Sequence, residues 1–179
     1  VADAWRFQVV IFDNKGKYVN CFGDTGKFKP TDVFIYDNKI WVANVGGNKI
    51  NVYSKDSANN LLYSFTQSEP GKPDYLYSPT NVFVTDDKVY VTDFGDSKIK
   101  IFSHDGNFLD TVGSYGMGMG QLAKPKGIAV DRESNLYVVD AAFENVQIFN
   151  KEGKLLLFFG GPYKGPGDMW LPAKVIIDY

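Results

Sequence analysis

Hydrophobic residues in this chain fall in short runs of four to six positions, rich in Val, Ile, Phe and Tyr, separated by Asp, Asn, Gly and Lys. No stretch repeats apolar residues at helical spacing over three turns, so the pattern predicts strands and no long helix. The connectors DNKG (13–16), HDGN (104–107) and NKEG (150–153) are turn sequences of the kind that join antiparallel strands. The runs themselves repeat. PTDVFIYDNKIWVAN (30–44), PTNVFVTDDKVYVTD (79–93) and PKGIAVDRESNLYVVD (125–140) align, and PAKVIID (172–178) begins a fourth copy. Their leading residues Pro30, Pro79, Pro125 and Pro172 are spaced about 47 residues apart. Each unit goes on to a third run (50–53, 99–102, 146–149) and a fourth (61–65, 108–112, 155–159); runs at 9–12 and 18–22 precede the first proline.

Four antiparallel strands at this period describe one blade of a β-propeller, which buries its two faces only by stacking on neighbouring blades. The expected fold is all-β, with four-stranded antiparallel blades around an axis. The first run of each unit is nearly all apolar and is expected to be the innermost strand, buried on both faces. Outer strands alternate, with Lys98, Lys100 and Ser103 expected on the polar side.

The string PKGIAVDxxxNLYVVD (125–140), followed by NVQIF (145–149), Gly153 and Phe159-Gly160, resembles the NHL repeat, as do the glycine-rich crossovers 113–125 and 159–172. The resemblance extends over nearly the whole chain and implies a propeller of about six blades. About four blades are present here. Residues 1–23 supply strands two to four of one blade, 24–67, 68–113 and 114–161 are full blades, and 162–179 carries the first strand of the next. Two readings stand: a section of a six-bladed ring, or a four-bladed ring in which 172–178 pairs with the N-terminal sheet. The chain starts at Val1 rather than Met, and a section of a longer propeller is expected.

Composition narrows the function. A net charge of −2 and a pI near 5.4 offer no Lys/Arg surplus for phosphate, which argues against nucleic acid. No apolar run is long enough for a membrane-spanning helix. Cys21 is the single cysteine and His104 the single histidine, so neither a disulfide framework, a Cys-rich metal cage nor a multi-His site is expected. No C-x-x-C-H occurs, so haem is not expected to attach through that motif. His104 falls in a turn between third and fourth strands and is expected to be a solvated turn residue on the rim opposite the functional face.

Candidate chemistry is sparse. The residue ending each second strand (Asp3, Asn44, Asp93, Asp140) is expected to bond backbone amides in the following loop. Residues two after each proline (Asp32, Asn81, Gly127, Lys174) are expected near the channel mouth, where Asp32 and Asn81 form a weak calcium candidate, short of the ligands calcium needs. The resemblance to propeller lyases and lactonases implies an enzyme reading: a calcium-dependent, lactonase-like hydrolase at the channel mouth. In the amidating lyase, zinc-holding histidines follow the strand-leading proline. Those places here are Thr31, Thr80, Lys126 and Ala173, so no catalytic residue is assigned.

The remaining feature is a rim. Loops after second strands and the crossovers should share one face of the disc, bringing together Trp5, Arg6, Phe94, Phe143, Tyr115, Met117, Met119, Tyr163, Met169 and Trp170. Aromatic and Met side chains suit a protein interface; caps over blade edges are the alternative use. The leading expectation is a non-catalytic scaffold that binds a protein partner, with no cofactor. The GPGDMWLP crossover (165–172) resembles bacterial NHL proteins that accompany multihaem cytochromes, which implies such a partner and a periplasmic or secreted location. Open blade edges also suggest homo-oligomer contacts.

Overall fold

A computed structural model of the chain describes residues 1–23, 26–66, 68–162 and 165–178. Among the described residues fifteen strands form four antiparallel sheets. The N-terminal sheet has three strands, β1 (Ala2–Asp3), β2 (Gln8–Phe12) and β3 (Tyr18–Phe22). The first full sheet is β4 (Pro30–Tyr36), β5 (Lys39–Asn44), β6 (Lys49–Ser54) and β7 (Leu61–Phe65). The second is β8 (Pro79–Val84), β9 (Val89–Asp93), β10 (Lys98–Phe102) and β11 (Phe108–Val112). The third is β12 (Pro125–Val130), β13 (Leu136–Asp140), β14 (Asn145–Phe149) and β15 (Leu155–Gly160). Each sheet is a meander in chain order, and a 3-10 turn, Val45–Gly47, lies between β5 and β6. Among the described residues no helix is long and apolar enough to cross a membrane.

Sheets stack face to face through three apolar layers. Val9 and Phe28 meet Ile40 and Val42 between the N-terminal and first full sheets. Trp41, Ile50 and Phe65 meet Leu76, Val82 and Phe102 in the next layer. Tyr90, Ile99 and Ile101 meet Ile128, Leu136 and Phe149 in the last. Side-chain alternation therefore serves two layers at once in the first and second full sheets, each buried on both faces by different neighbours.

Four expectations change. The second strands, not the proline-led ones, are the most deeply buried: β9 is buried throughout, whereas β4 is mostly half-exposed. A proline-led strand lines the hub and has one unpaired edge, while the second strand has a partner on each side. Lys100 does not sit on a polar face; it is buried in an ion-paired site described below. His104 is only half exposed. Its ring lies 5.7 Å from that of Tyr36 and 5.6 Å from Trp41, and its Nε2–H donates to the Thr85 carbonyl at 2.9 Å. The turn that carries it is wedged against the preceding blade, a contact no local pattern encodes. Finally, residues 172–178 form no strand ladder, with β1 or any other strand. They run beside β12 so closely that a Cβ on Gly127 would stand 2.4 Å from the Lys174 Cα.

Candidate binding rim

The residue ending each second strand is a clamp that shapes the rim. Asn44 Oδ1 accepts from the Lys29 amide at 2.8 Å; Asp93 accepts from the Tyr77 and Ser78 amides at 2.9 and 2.7 Å. Asp140 accepts from the Ala123 amide at 2.7 Å and from Lys124. These donors lie in the crossover before the first strand; the side chains of Asn44 and Asp93 accept from them and not, as expected, from amides of the loop after the second. Asp140 also holds the Ala142 and Phe143 amides of that following loop, and Asp3 holds Trp5 and Arg6. A backbone bond then closes each junction: Val45 to Lys29, Phe94 to Ser78, Ala141 to Lys124. Crossovers and second-strand loops thus share one rim, and the buried carboxylates serve backbone amides.

Beneath the rim a polar pair recurs at fixed positions, the last residue of the second strand and the third residue of the third. It is Asn44 with Asn51 in the first full sheet, where the Asn44 amide donates to Asn51 Oδ1 at 3.0 Å. It is Asp93 with Lys100 in the second. Lys100 Nζ stands 3.1 Å from carboxylate oxygens of Asp93 and Asp96, donates to the Tyr75 carbonyl, and lies 5.4 Å from the Tyr77 ring centre. In the third it is Asp140 and Gln147, the latter bonded to Gly120 and Gln121. Sequence reading missed this pair; its signal is a polar residue at the same place in each third strand.

At the hub, the residues two after each proline do converge. Asp32 accepts from the Asn81 amide at 3.2 Å, the Val82 N–H at 3.2 Å and Lys174 Nζ at 2.9 Å. The Asn81 group facing Asp32 is its N–H donor, not its oxygen, and an ammonium occupies the place beside the carboxylate. Among the described residues no three His, Cys, Asp or Glu side chains gather as metal ligands.

The rim's aromatic and Met side chains stand largely free. Trp5 is 89% exposed, Met119 80%, and Tyr115, Met117 and Trp170 are similarly open. Arg6 is exposed and Phe94 marginally so, whereas Phe143 is half-buried. Met169 reaches over Gly160, where a Cβ would stand 2.2 Å from its methyl, and so acts as a cap. Tyr163 lies outside the described residues. Lys98 is tied to Asp96 at 3.2 Å, which removes one of the rim's free cations.

A family described as 6-bladed beta-propeller (DUF5128) matches residues 72–156. No curated protein matches. Among solved structures, a streptogramin B lyase is 18% identical over 97% of this chain and 50% of its own, with a TM-score of 0.61. Virginiamycin B lyase from Staphylococcus aureus is 16% identical over 94% of this chain and 52% of its own, with a TM-score of 0.64. Kuenenia stuttgartiensis hydrazine synthase is 10% identical over 81% of this chain and 38% of its own, with a TM-score of 0.60. The chain spans about half the length of the two lyases it matches. Identities this low speak to fold alone. With its stacked four-stranded meanders, the chain has the fold of β-propeller blades.

Proposed function

We propose that this chain is part of an NHL-type propeller that acts as a non-catalytic scaffold, binding a protein partner through the crossover rim. One observation carries the reading: Trp5, Tyr115, Met117 and Met119 are held out on that rim, well exposed, by loops whose backbones are clamped from below, with Trp170 exposed beside them. Large apolar side chains on a pre-ordered backbone lose little entropy on association and gain much contact area. The partner assigned by the crossover's resemblance is a multihaem cytochrome, in the periplasm or outside the cell.

The test is pairwise capture. The immobilised chain and a variant with alanine at Trp5, Phe94, Tyr115 and Phe143 are exposed to extract from the source cell. The expected result is a protein retained by the first and lost by the second, with haem absorbance in the eluate. Equal retention by both, with the variant's circular dichroism unchanged, would sink the proposal.

A further inference from the structure

The crossovers leave a cleft at the same place on two successive sheets. In the second full sheet it holds about 420 Å³ between the 68–78 crossover and strands β10 and β11. In the third it holds about 450 Å³ between the 113–124 crossover and strands β14 and β15. Shared bonds fix the correspondence. The Tyr75 amide donates to the Lys72 carbonyl, as the Gln121 amide does to the Gly118 carbonyl. The Tyr75 carbonyl accepts from Lys100, and the Gln121 carbonyl from Gln147 at the matching place. Leu76 and Leu122, the next residues in line, are both fully buried.

The two linings differ in kind. Where the second sheet has Gly71, Pro73, Asp96 and Thr111, the third has Met117, Met119, Phe143 and Phe158. Lys98 and Asp96 form an ion pair at 3.2 Å in the second sheet's cleft, with Lys72 and Asp110 beside them. None of the described residues lining the third sheet's cleft is charged. Its polar side chains are engaged or covered. Gln147 Oε1 accepts from the Gly120 N–H at 3.2 Å, and its Nε2 donates to the Gln121 carbonyl at 2.9 Å. Asn145 is 9% exposed; its Oδ1 is buried without a partner and closed to any guest, and the amide N–H it exposes suits a ring face. Charged residues line this cleft in one blade, so the exchange for thioethers and rings is not a requirement of the fold. It leaves Met117, Met119 and Phe158 as exposed apolar surface, which marks a contact site.

We propose that the cleft of the third full sheet is a binding pocket for an uncharged aromatic ring. The thioethers of Met117 and Met119 attract a π-system, as do the rings of Phe143 and Phe158. A space of this size takes one or two rings. A charged guest would lose hydration there and find no counter-charge in the lining. The ring comes either from a free small molecule or from a phenylalanine side chain of a protein. The proposal stands on the contrast between the two linings and does not need the scaffold reading.

The test titrates the intact chain with benzyl alcohol, with cyclohexylmethanol of similar size and with benzylammonium, following the Met117 and Met119 methyl resonances. Benzyl alcohol is expected to shift both methyls by its ring current and to bind about fivefold more tightly than cyclohexylmethanol. Its advantage over benzylammonium is expected to be about tenfold or more. Phe143→Asp with Phe158→Thr installs the second sheet's residues and is expected to abolish binding with circular dichroism unchanged. N-acetyl-phenylalaninamide binding more tightly than benzyl alcohol assigns the ring to a protein side chain; equal or weaker binding assigns it to a free small molecule. No methyl shift with benzyl alcohol overturns the proposal, as does either control bound as tightly, or binding that survives the double variant. Should that variant fail to fold, Met119→Lys on the exposed lip is expected to abolish benzyl alcohol binding read at Met117; retained binding overturns it.

Discussion

Lys100 offers the sharpest test of how the rim is held. Its side chain is 1% exposed and that of Asp93 fully buried, with Nζ to Oδ2 at 3.1 Å. At that separation the attraction is about 5 kcal/mol at an effective dielectric of about 20, offset by the desolvation of both ions. The pair's net contribution is therefore small, but its halves are not separable. Lys100→Met removes the cation and leaves the Asp93 carboxylate buried on two backbone N–H donors alone. Asp96 suffers less, because it is partly exposed and keeps Lys98. The expected loss is about 3–5 kcal/mol. The neighbouring blade shows how to relieve it, since Asn44 and Asn51 fill the same two positions without charge. Asp93→Asn with Lys100→Asn recreates that pair, at the cost of one of the two backbone acceptors. It is expected to recover at least half of the single variant's loss. Urea unfolding followed by tryptophan fluorescence measures all three proteins. A Lys100→Met loss below about 1 kcal/mol, or a double variant no better than the single, refutes the claim that Asp93 depends on this cation.

Four further outcomes are expected. Burial works to raise the Asp131 carboxyl, but hydrogen bonds from Asn135, Glu133 and Tyr137 prevail and hold it below its ordinary 3.8. Its contribution is thus complete above that value and lost as pH falls through the lower folded one, so urea midpoints between pH 5 and 3 should fall less in Asp131→Asn than in the unaltered chain. Gly127→Ala places a Cβ 2.4 Å from the Lys174 Cα and should displace 172–178, read as faster protease cleavage there; unchanged cleavage would show that the segment is not seated on β12. Trp41→Ala, in the fully buried layer between the first and second full sheets, should cost about 3–5 kcal/mol in urea unfolding. Because three donors already surround Asp32, neither calcium nor EDTA should move the melting temperature, and a calcium-dependent rise would establish the metal reading instead.

The amino-acid order alone determined the meander and its period. Strands β3, β7 and β11 coincide with predicted runs, and others differ by a residue or two at their ends. Such features are local, because a β-branched run bounded by Gly, Asn or Asp specifies strand and turn without knowing its neighbours. The clamps were legible in part, since an Asx side chain at a strand end has few roles: the loop bonds of Asp3 and Asp140 were expected, the crossover donors of Asn44, Asp93 and Asp140 were not. The convergence of Asp32, Asn81 and Lys174 on the hub was legible as well. What each face meets was decided only in three dimensions. Lys100 reads as an outward lysine because its own strand alternates, yet the Asp93 and Asp96 carboxylates and the Tyr75 carbonyl brought round it make burial tolerable. His104 reads as a turn residue until the preceding blade sets Trp41 and Tyr36 against it. The unpaired oxygen of Asn145 is invisible in sequence for the same reason: hydrogen-bond satisfaction belongs to the packed neighbourhood, and in a stacked-blade fold that neighbourhood comes largely from other repeats.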